Sequence, residues 1–224
     1  MTGLALHLAV GFASLTATTT LQVPDRAGPE APGSVAASPV GTVDADPTAV
    51  GSYPSYVRIE TELGNIEIEV STDQAPVTAA NFLKYVEAGL YTGGRFHRTV
   101  HDGNQPDNEF LIDVIQGGIN SERRGEVGAP IALERTRDTG LKHLTGSISM
   151  ARGGPDSATS DFFICVEDEP ELDFGGKRNA DGQGFAAFGT VIAGMDVVRA
   201  IQMRPAEGQS LAPPIQILRI ILID

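Results

Sequence analysis

The sequence predicts a mainly β protein built as a closed antiparallel barrel, and three observations lead to that prediction. Many short segments alternate apolar and polar residues, which is the pattern of strands with one buried face. Glycine-rich turns separate these segments, and the 224 residues include 26 glycines. Only two segments show the wider apolar spacing of amphipathic helices. No internal repeat divides the chain, so we expect a single barrel domain.

The net charge of the chain limits the kinds of molecule that it is expected to bind. The chain carries 16 Lys and Arg against 29 Asp and Glu, a formal net charge of −13. Because phosphates repel so acidic a protein, the composition argues against binding to nucleic acid or to an anionic membrane surface. The single cysteine, Cys165, excludes an intrachain disulfide and is expected to be a small apolar core residue.

Residues 1–53 differ in composition from the rest of the chain. Residues 4–17 are apolar but too few to span a bilayer, and they fit the apolar region of a secretory signal that lacks its usual preceding positive charge. A misplaced start codon would explain that lack. Residues 18–53 are rich in Ala, Pro, Gly, Ser, Thr and Asp, which predicts a disordered linker. We expect a periplasmic or secreted protein without a membrane-spanning segment, the alternative being a cytosolic protein with a flexible leader.

The folded domain is expected over residues 54–224, opening with a hairpin and a helix. Apolar and polar residues alternate over 57–62 and again over 66–70, as in an antiparallel sheet with one solvated face. In the helix that follows, Pro76 suits the first turn and Gly89 the C-terminal end. Its predicted apolar stripe consists of Val77, Ala80, Phe82, Leu83 and Val86.

The remaining chain predicts further strands and a second helix. The strands fall at 92–98, 147–151, 161–166, 185–191 and 215–223, and the helix at 194–201. Strict alternation places Phe96 and Arg98 on one face of their strand and His97 on the other. In a later strand it places Phe162 on a core face and Phe163 on the opposite face, where an aromatic ring can border a groove.

Several groups of residues resemble, in their order along the chain, the signature of a known family. They are Arg95-Phe96-His97-Arg98 with Ile115-Gln116-Gly117-Gly118, then Ser149-Met150-Ala151 with Phe162-Phe163-Ile164 after a Gly-Pro loop, and finally Leu172-Asp173 with Phe185-Ala186-Ala187-Phe188-Gly189. Together they resemble the cyclophilins, the peptidyl-prolyl cis-trans isomerases, over about residues 57–224. The resemblance implies an eight-stranded barrel with a helix over each open end and the active site in an outer groove.

The resemblance also implies an activity and its partners. A protein of this family accelerates rotation of the X–Pro bond in peptides and polypeptides and so assists protein folding. Its partners are proline-containing polypeptides, and no metal or cofactor is implied. We expect the protein to act as a monomer.

Site residues follow from the resemblance position by position. Arg98, Gln116 and Phe163 match the catalytic positions, with Arg98 as the donor to the proline nitrogen and Gln116 orienting it. The positions that match substrate-binding residues are Val114, Ala151, Arg152, Asp161, Leu172 and Phe185. An aromatic residue of the family's proline slot is missing before Val114, so either Phe110 or Ile112 is expected to complete the wall.

Three residues depart from the family's pattern. Asp161 stands where the family usually has Gln, and its carboxylate is expected either to hold Arg98 or to draw it away from the substrate. Phe185 stands where many members have His, which removes a hydrogen-bond donor but keeps an apolar wall. Glu171 stands where the drug-sensitive members have Trp.

Two other functions remain open at this point. The same groove would serve a proline-peptide binding module or chaperone that does not rotate the bond. A serine hydrolase built from Ser149, His97 and Asp161 is the weaker alternative, because Ser149 does not lie in a Gly-x-Ser-x-Gly turn. Since isomerisation requires no proton transfer from a side chain, we interpret His97 as a structural, hydrogen-bonded residue.

Overall fold

The computed structural model of the protein describes residues 56–224. The predicted signal region and linker over 1–53 lie outside these residues, and so does the prediction that the domain begins at residue 54. Across the part of the chain that is described, no helix is long and apolar enough to cross a bilayer.

Eight strands close into one antiparallel barrel, as the sequence predicted. Around the ring they are β1 (Tyr56–Thr61), β2 (Gly64–Val70), β7 (Ala186–Ala193), β5 (Ser147–Met150), β6 (Phe162–Cys165), β4 (Val114–Gly118), β3 (Arg95–Val100) and β9 (Ser210–Ile223). Pairing of β9 with β1 closes the ring and leaves no free edge in it. A two-residue strand, β8 (Ala206–Glu207), extends β9 outside the ring.

Aromatic rings fill the barrel interior. Phe162 lies at the centre of this group, with edge-on contacts to Phe82 at 5.7 Å, Tyr91 at 5.6 Å and Phe96 at 5.8 Å between ring centroids. All four side chains are fully buried. Edge-to-face packing of this kind adds to the stabilisation from apolar burial itself.

The predicted helices are α1 (Pro76–Glu87) and α3 (Met195–Gln202), and a single turn, α2 (Thr136–Thr139), was not predicted. The predicted stripe of α1 is partly wrong, because Val77 is 45% exposed while Thr78 and Ala79 are buried. The carboxylate of Glu134 caps this exposed end of the helix, since it accepts hydrogen bonds from the backbone N–H groups of Val77 and Thr78.

A β-bulge in β3 overturns the predicted alternation around His97. Phe96 is opposite Gly117 on β4, whereas Arg98 is opposite Gln116, so two residues of β3 advance for one of β4. The extra residue turns Arg98 to the outside of the barrel while Phe96 remains in the core. Phe96 and Arg98 therefore lie on opposite faces, contrary to strict alternation.

Apolar side chains on the outer faces of β4 and β6 form a second, smaller cluster. Its members, which we call the outer cluster, are Val100, Ile112, Val114, Phe163, Cys165 and Leu172, with Ala151 and Phe185 packed against them. Cys165 is fully buried here, as predicted for a small apolar residue. Burial raises the pKa of its thiol well above the ordinary value, so the thiol stays protonated.

The central position of Phe162 predicts a large loss of stability on truncation. We expect Phe162→Ala to lower the free energy of unfolding by about 3–5 kcal/mol, because the lost contacts leave a cavity among rigid rings. Urea unfolding followed by circular dichroism measures this change, with Phe162→Leu as the milder control. A loss below about 1 kcal/mol for the alanine variant would contradict this view of the core.

Candidate active site

A pocket of about 260 Å³ opens over the outer cluster. Every predicted site residue except Asp161 lines it, and the lining also includes Ile112, Arg178 and Asn179. The structure therefore brings eight of the nine predicted site residues together in one pocket.

Cross-strand pairing places the central residues of the pocket in one row. Arg98 on β3 is opposite Gln116 on β4, Gln116 is opposite Phe163 on β6, and Phe163 is opposite Ser149 on β5. Directly opposed residues in a sheet have their side chains about 5 Å apart on the same face. The row therefore sets a guanidinium, an amide and an aromatic ring side by side.

Two neutral amides hold the Arg98 guanidinium. Its Nη1 donates to Gln116 Oε1 at 2.9 Å, and its Nε and Nη2 donate to Gln209 Oε1 at 3.0 and 2.6 Å. A guanidinium has five N–H donors, and these three bonds leave two of them for another acceptor. Burial lowers the pKa of Arg98, and the nearby charge of Arg178 lowers it further, but arginine remains charged at neutral pH.

Gln209 was missed by sequence analysis. It lies in the turn between β8 and β9, and its backbone carbonyl accepts a hydrogen bond from the Thr99 N–H at 2.9 Å. Pairing of Ser210 with Arg98 brings this turn to the site across 111 residues of chain. No local pattern marks a glutamine in a turn as a partner of a distant arginine.

Apolar walls surround one side of the pocket. The Phe163 and Phe185 rings meet edge-on with centroids 5.3 Å apart, and Val114 and Leu172 are buried beside them. Ile112, which is buried and lines the pocket, completes the wall. Phe110 does not line the pocket, so the alternative between these two residues is resolved in favour of Ile112.

A buried polar chain supports the aromatic wall from behind. His143 Nδ1 lies 2.9 Å from Asp173 Oδ1, and its Nε2 lies 3.0 Å from Ser149 Oγ. The carboxylate favours the proton on Nδ1, so the Ser149 hydroxyl donates to Nε2. The imidazole stacks on Phe163 at 5.9 Å between centroids with an angle of 15°.

The serine, histidine and aspartate of this chain do not form a hydrolase site. Ser149 is 0% and His143 1% exposed, so no substrate reaches the hydroxyl behind the Phe163 ring. The residues proposed for a hydrolase, Ser149 with His97 and Asp161, are not brought together either, since Ser149 bonds to His143 instead.

The expectations for Asp161 and His97 need correction. Asp161 forms no ion pair with Arg98; its Oδ2 lies 3.8 Å from His97 Nε2, and both side chains are partly exposed. Asp161 lines a neighbouring pocket of about 430 Å³ that shares Gln116, Ala151 and Arg152 with the first. His97 makes no side-chain hydrogen bond within residues 56–224, and the buried structural histidine is His143.

The side chain of Arg152 is held by contacts within the protein. Its guanidinium makes a two-point pair with Asp181 at 2.7 and 2.9 Å and lies over the Phe185 ring at 5.0 Å. This pair and a backbone N–H hydrogen bond hold the pKa of Asp181 at about 2. The Arg152 side chain therefore stiffens the Phe185 wall, and only its backbone remains available for the predicted substrate contact.

Glu169 is a buried acid close to the pocket wall. Burial raises its pKa to about 7, and the nearby Asp113 and Asp102 charges act in the same direction. The Asp113 N–H donates to its carboxylate at 2.6 Å and opposes the shift. Near neutral pH this carboxyl group is therefore partly protonated.

This barrel, with an arginine and an apolar slot on its outer surface, has the architecture of a proline-directed isomerase. A family model described as cyclophilin type peptidyl-prolyl cis-trans isomerase/CLD matches residues 56–221. The chain belongs to this family.

Relatives and solved structures agree with that assignment. Peptidyl-prolyl cis-trans isomerase A of Dickeya dadantii (strain 3937) is 36% identical over 162 residues, which cover 72% of this chain and 78% of the relative. Peptidyl-prolyl cis-trans isomerase B of Escherichia coli (strain K12) is 36% identical over 147 residues, covering 65% and 83%. The crystal structure of a cyclophilin type isomerase of Cryptosporidium parvum superposes with a TM-score of 0.60 at 25% identity, covering 77% of this chain and 99% of that one.

The raised pKa of Glu169 predicts a pH-dependent loss of stability. Its pKa in the folded state is about 7 against an ordinary 4.5, so between these values the folded protein holds more protons than the unfolded chain. Stability contributed by this group is therefore highest at low pH and falls as the pH rises.

Comparison with Glu169→Gln isolates that effect. As the pH rises from about 5 to about 8, we expect the wild type to lose stability relative to Glu169→Gln by on the order of 1–3 kcal/mol. Urea unfolding at several pH values measures the difference, and Glu167→Gln, at an exposed neighbouring position, controls for loss of a carboxylate. A constant difference between wild type and Glu169→Gln across that range would refute the assigned shift.

Proposed function

We propose that this protein rotates X–Pro bonds with Arg98 as its catalytic residue and Gln116 as the residue that orients it. The planar amide resists rotation with a barrier of about 18–20 kcal/mol because nitrogen shares its lone pair with the carbonyl. Uncatalysed exchange therefore takes roughly 10–100 s. Twisting the bond localises the lone pair on nitrogen, where a donor binds it more strongly than in the planar state.

The observation that carries this proposal is the way Arg98 is held. Neutral amides fix three of its donors, no carboxylate lies within 4 Å of it among residues 56–224, and two N–H groups remain. Preorganised charge in a partly desolvated pocket favours the twisted amide over the planar one at no further cost in reorganisation. Gln209 acts as a second positioning residue.

The apolar wall is suited to hold the proline of a substrate next to the Arg98 guanidinium. Phe163, Leu172, Val114 and Ile112 form a slot with the size and polarity for a proline ring, and Phe185 borders it. With the ring held, the peptide on the other side of the bond is free to turn. A second structure of the Cryptosporidium parvum isomerase was determined in the presence of the dipeptide Ala-Pro, which supports a proline ligand for this site.

The cellular role is part of the same proposal. We infer that the protein acts as a monomer and assists folding of proline-containing polypeptides. The apolar segment at 4–17 and the composition of the linker after it are the basis for inferring that it acts outside the cytosol. N-terminal sequencing of the mature protein from its native host tests export: a start beyond residue 17 supports it, and an intact first residue contradicts it.

Removing the Arg98 guanidinium should abolish most of the activity. We expect Arg98→Ala to lower kcat/KM for a short proline peptide by at least about a hundredfold, or about 2.7 kcal/mol in the barrier, with the fold retained. Exchange between cis and trans peptide, followed by NMR, measures the rate without an auxiliary protease. Arg95→Ala, an exposed arginine on the same strand, is the matched control. A protein that keeps more than half its activity after loss of Arg98 would rule out the mechanism.

Truncation of Phe163 should impair catalysis beyond its effect on stability. We expect Phe163→Ala to lower kcat/KM by about tenfold or more at temperatures well below its melting point, because the slot loses one wall. Phe174→Ala removes an equal side chain outside the pocket and should leave the rate nearly unchanged. If both variants lose activity only in proportion to their melting temperatures, Phe163 is a core residue and not a slot residue.

A further inference from the structure

The loop at 175–184 contributes two polar side chains to the rim of the proline pocket. Arg178 and Asn179 line the pocket together with Arg98. Neither residue has a part in the proposed rotation of the X–Pro bond, so their presence in the pocket requires a separate explanation.

Arg178 is anchored in a way that leaves donors available. Its Nη1 donates to Gln105 Oε1 at 2.8 Å and to the Phe110 carbonyl at 2.7 Å. Gln105 is itself buried, and its Nε2 donates to the Ile112 carbonyl at 2.8 Å, so the anchor is rigid. Within residues 56–224, neither Nε nor Nη2 of Arg178 has a hydrogen-bond acceptor, and no carboxylate lies within 4 Å of the guanidinium.

Asn179 adds an unsatisfied donor to the same wall. Its Nδ2 is buried, and no partner for it exists among the described residues. Buried amide groups almost always have hydrogen-bond partners in folded proteins, so this N–H group requires an acceptor that the described residues do not supply, which is either a water molecule or a ligand.

The charge of the pocket favours an anionic ligand as that acceptor. Three arginines line the pocket and no aspartate or glutamate does, although the whole chain has a net charge of −13. Arg152 is neutralised by Asp181, but Arg98 and Arg178 have no ion-pair partner within residues 56–224. Two unpaired guanidinium groups in a partly buried pocket favour an anion, and the planar guanidinium matches a carboxylate, which is the anionic group that an unmodified polypeptide substrate carries.

We propose that Arg178 and Asn179 bind a carboxylate of the substrate next to its proline, so that the protein selects acidic proline-containing sequences. The proposal rests on the isomerase function above and names a specificity site within that pocket. The carboxylate belongs either to an Asp or Glu side chain flanking the proline or to the C-terminus of the residue that follows it. Both sources present the same planar acceptor to the two donors.

Four peptides separate these sources. The neutral reference is acetyl-Ala-Ala-Pro-Ala-amide, and the acidic peptides are acetyl-Ala-Asp-Pro-Ala-amide, acetyl-Ala-Ala-Pro-Asp-amide and acetyl-Ala-Ala-Pro-Ala with a free carboxylate. NMR exchange gives kcat/KM for each. For at least one acidic peptide we expect a value about tenfold above the neutral reference, and the peptide that shows it identifies the source of the carboxylate.

Two variants that lose the same charge test the role of Arg178. In Arg178→Gln the ratio of acidic to neutral kcat/KM should fall to about one, whereas in Lys177→Gln it should stay at the wild-type value. Lys177 is exposed, adjacent in sequence and outside the pocket lining, so general attraction of anions is equal in both variants. Asn179→Ala should lower the ratio partly and provides a second variant if Arg178→Gln unfolds.

The outcomes distinguish this proposal from the isomerase function itself. Equal rates for all four peptides, or equal loss of the ratio in the Lys177 and Arg178 variants, would overturn the specificity site while leaving isomerisation intact. If the protein accelerates cis–trans exchange of none of the four peptides over the uncatalysed rate, the isomerase function fails instead. Calorimetric titration of the acidic and neutral peptides then still decides the site, because tighter acidic binding that depends on Arg178 supports it and equal binding refutes it.

Discussion

Hydrogen-bonded register between neighbouring strands fixes the row of Arg98, Gln116 and Phe163 on which the site depends. Each of these side chains faces outward because successive side chains of its strand alternate between the aromatic core and the outer surface of the barrel. For Arg98 this outward direction also requires the bulge at His97, since regular alternation would turn the guanidinium towards Phe96 and the barrel interior. A slip of one residue in β4 or β6 would disperse the row, and the buried rings of Phe162 and Phe96 oppose such a slip.

Polar groups around the pocket follow one electrostatic pattern. Two of the three arginines that line the pocket are held by neutral amides, with Gln116 and Gln209 on Arg98 and Gln105 on Arg178, whereas Arg152 pairs with Asp181. A carboxylate in the same places would form a strong pair and compete with a ligand for the guanidinium. Of the acids near the site, Asp173 lies behind the wall, Asp161 lies in the neighbouring pocket and Asp181 is paired with Arg152. Positive charge is thus left directed at the ligand.

Behind the wall, the polar chain from Asp173 through His143 to Ser149 is fully satisfied. Buried polar networks stabilise one geometry when every member has a partner and destabilise the fold when one does not. Here the network orients an imidazole flat against Phe163 and edge-on to Phe185. The arrangement explains how a protein with phenylalanine in place of histidine at position 185 still presents a firm wall, because aromatic packing and the Arg152 contact hold that ring.

Alternation, turn residues and ordered motifs in the sequence were sufficient for the barrel, both long helices and the family, and for most of the residues that line the pocket, because periodicity and short motifs are local properties of the chain. Local pattern was insufficient at the His97 bulge, where an extra residue in β3 turns Arg98 to the face opposite Phe96. It was also insufficient at Val77, which is exposed at the end of α1 that the Glu134 carboxylate caps. Gln209, His143 and Arg178 also entered the site only through the tertiary structure, which in addition favoured Ile112 over Phe110. Each reaches it by a contact between segments far apart in sequence, and barrel closure, not local propensity, decides which distant segments become neighbours.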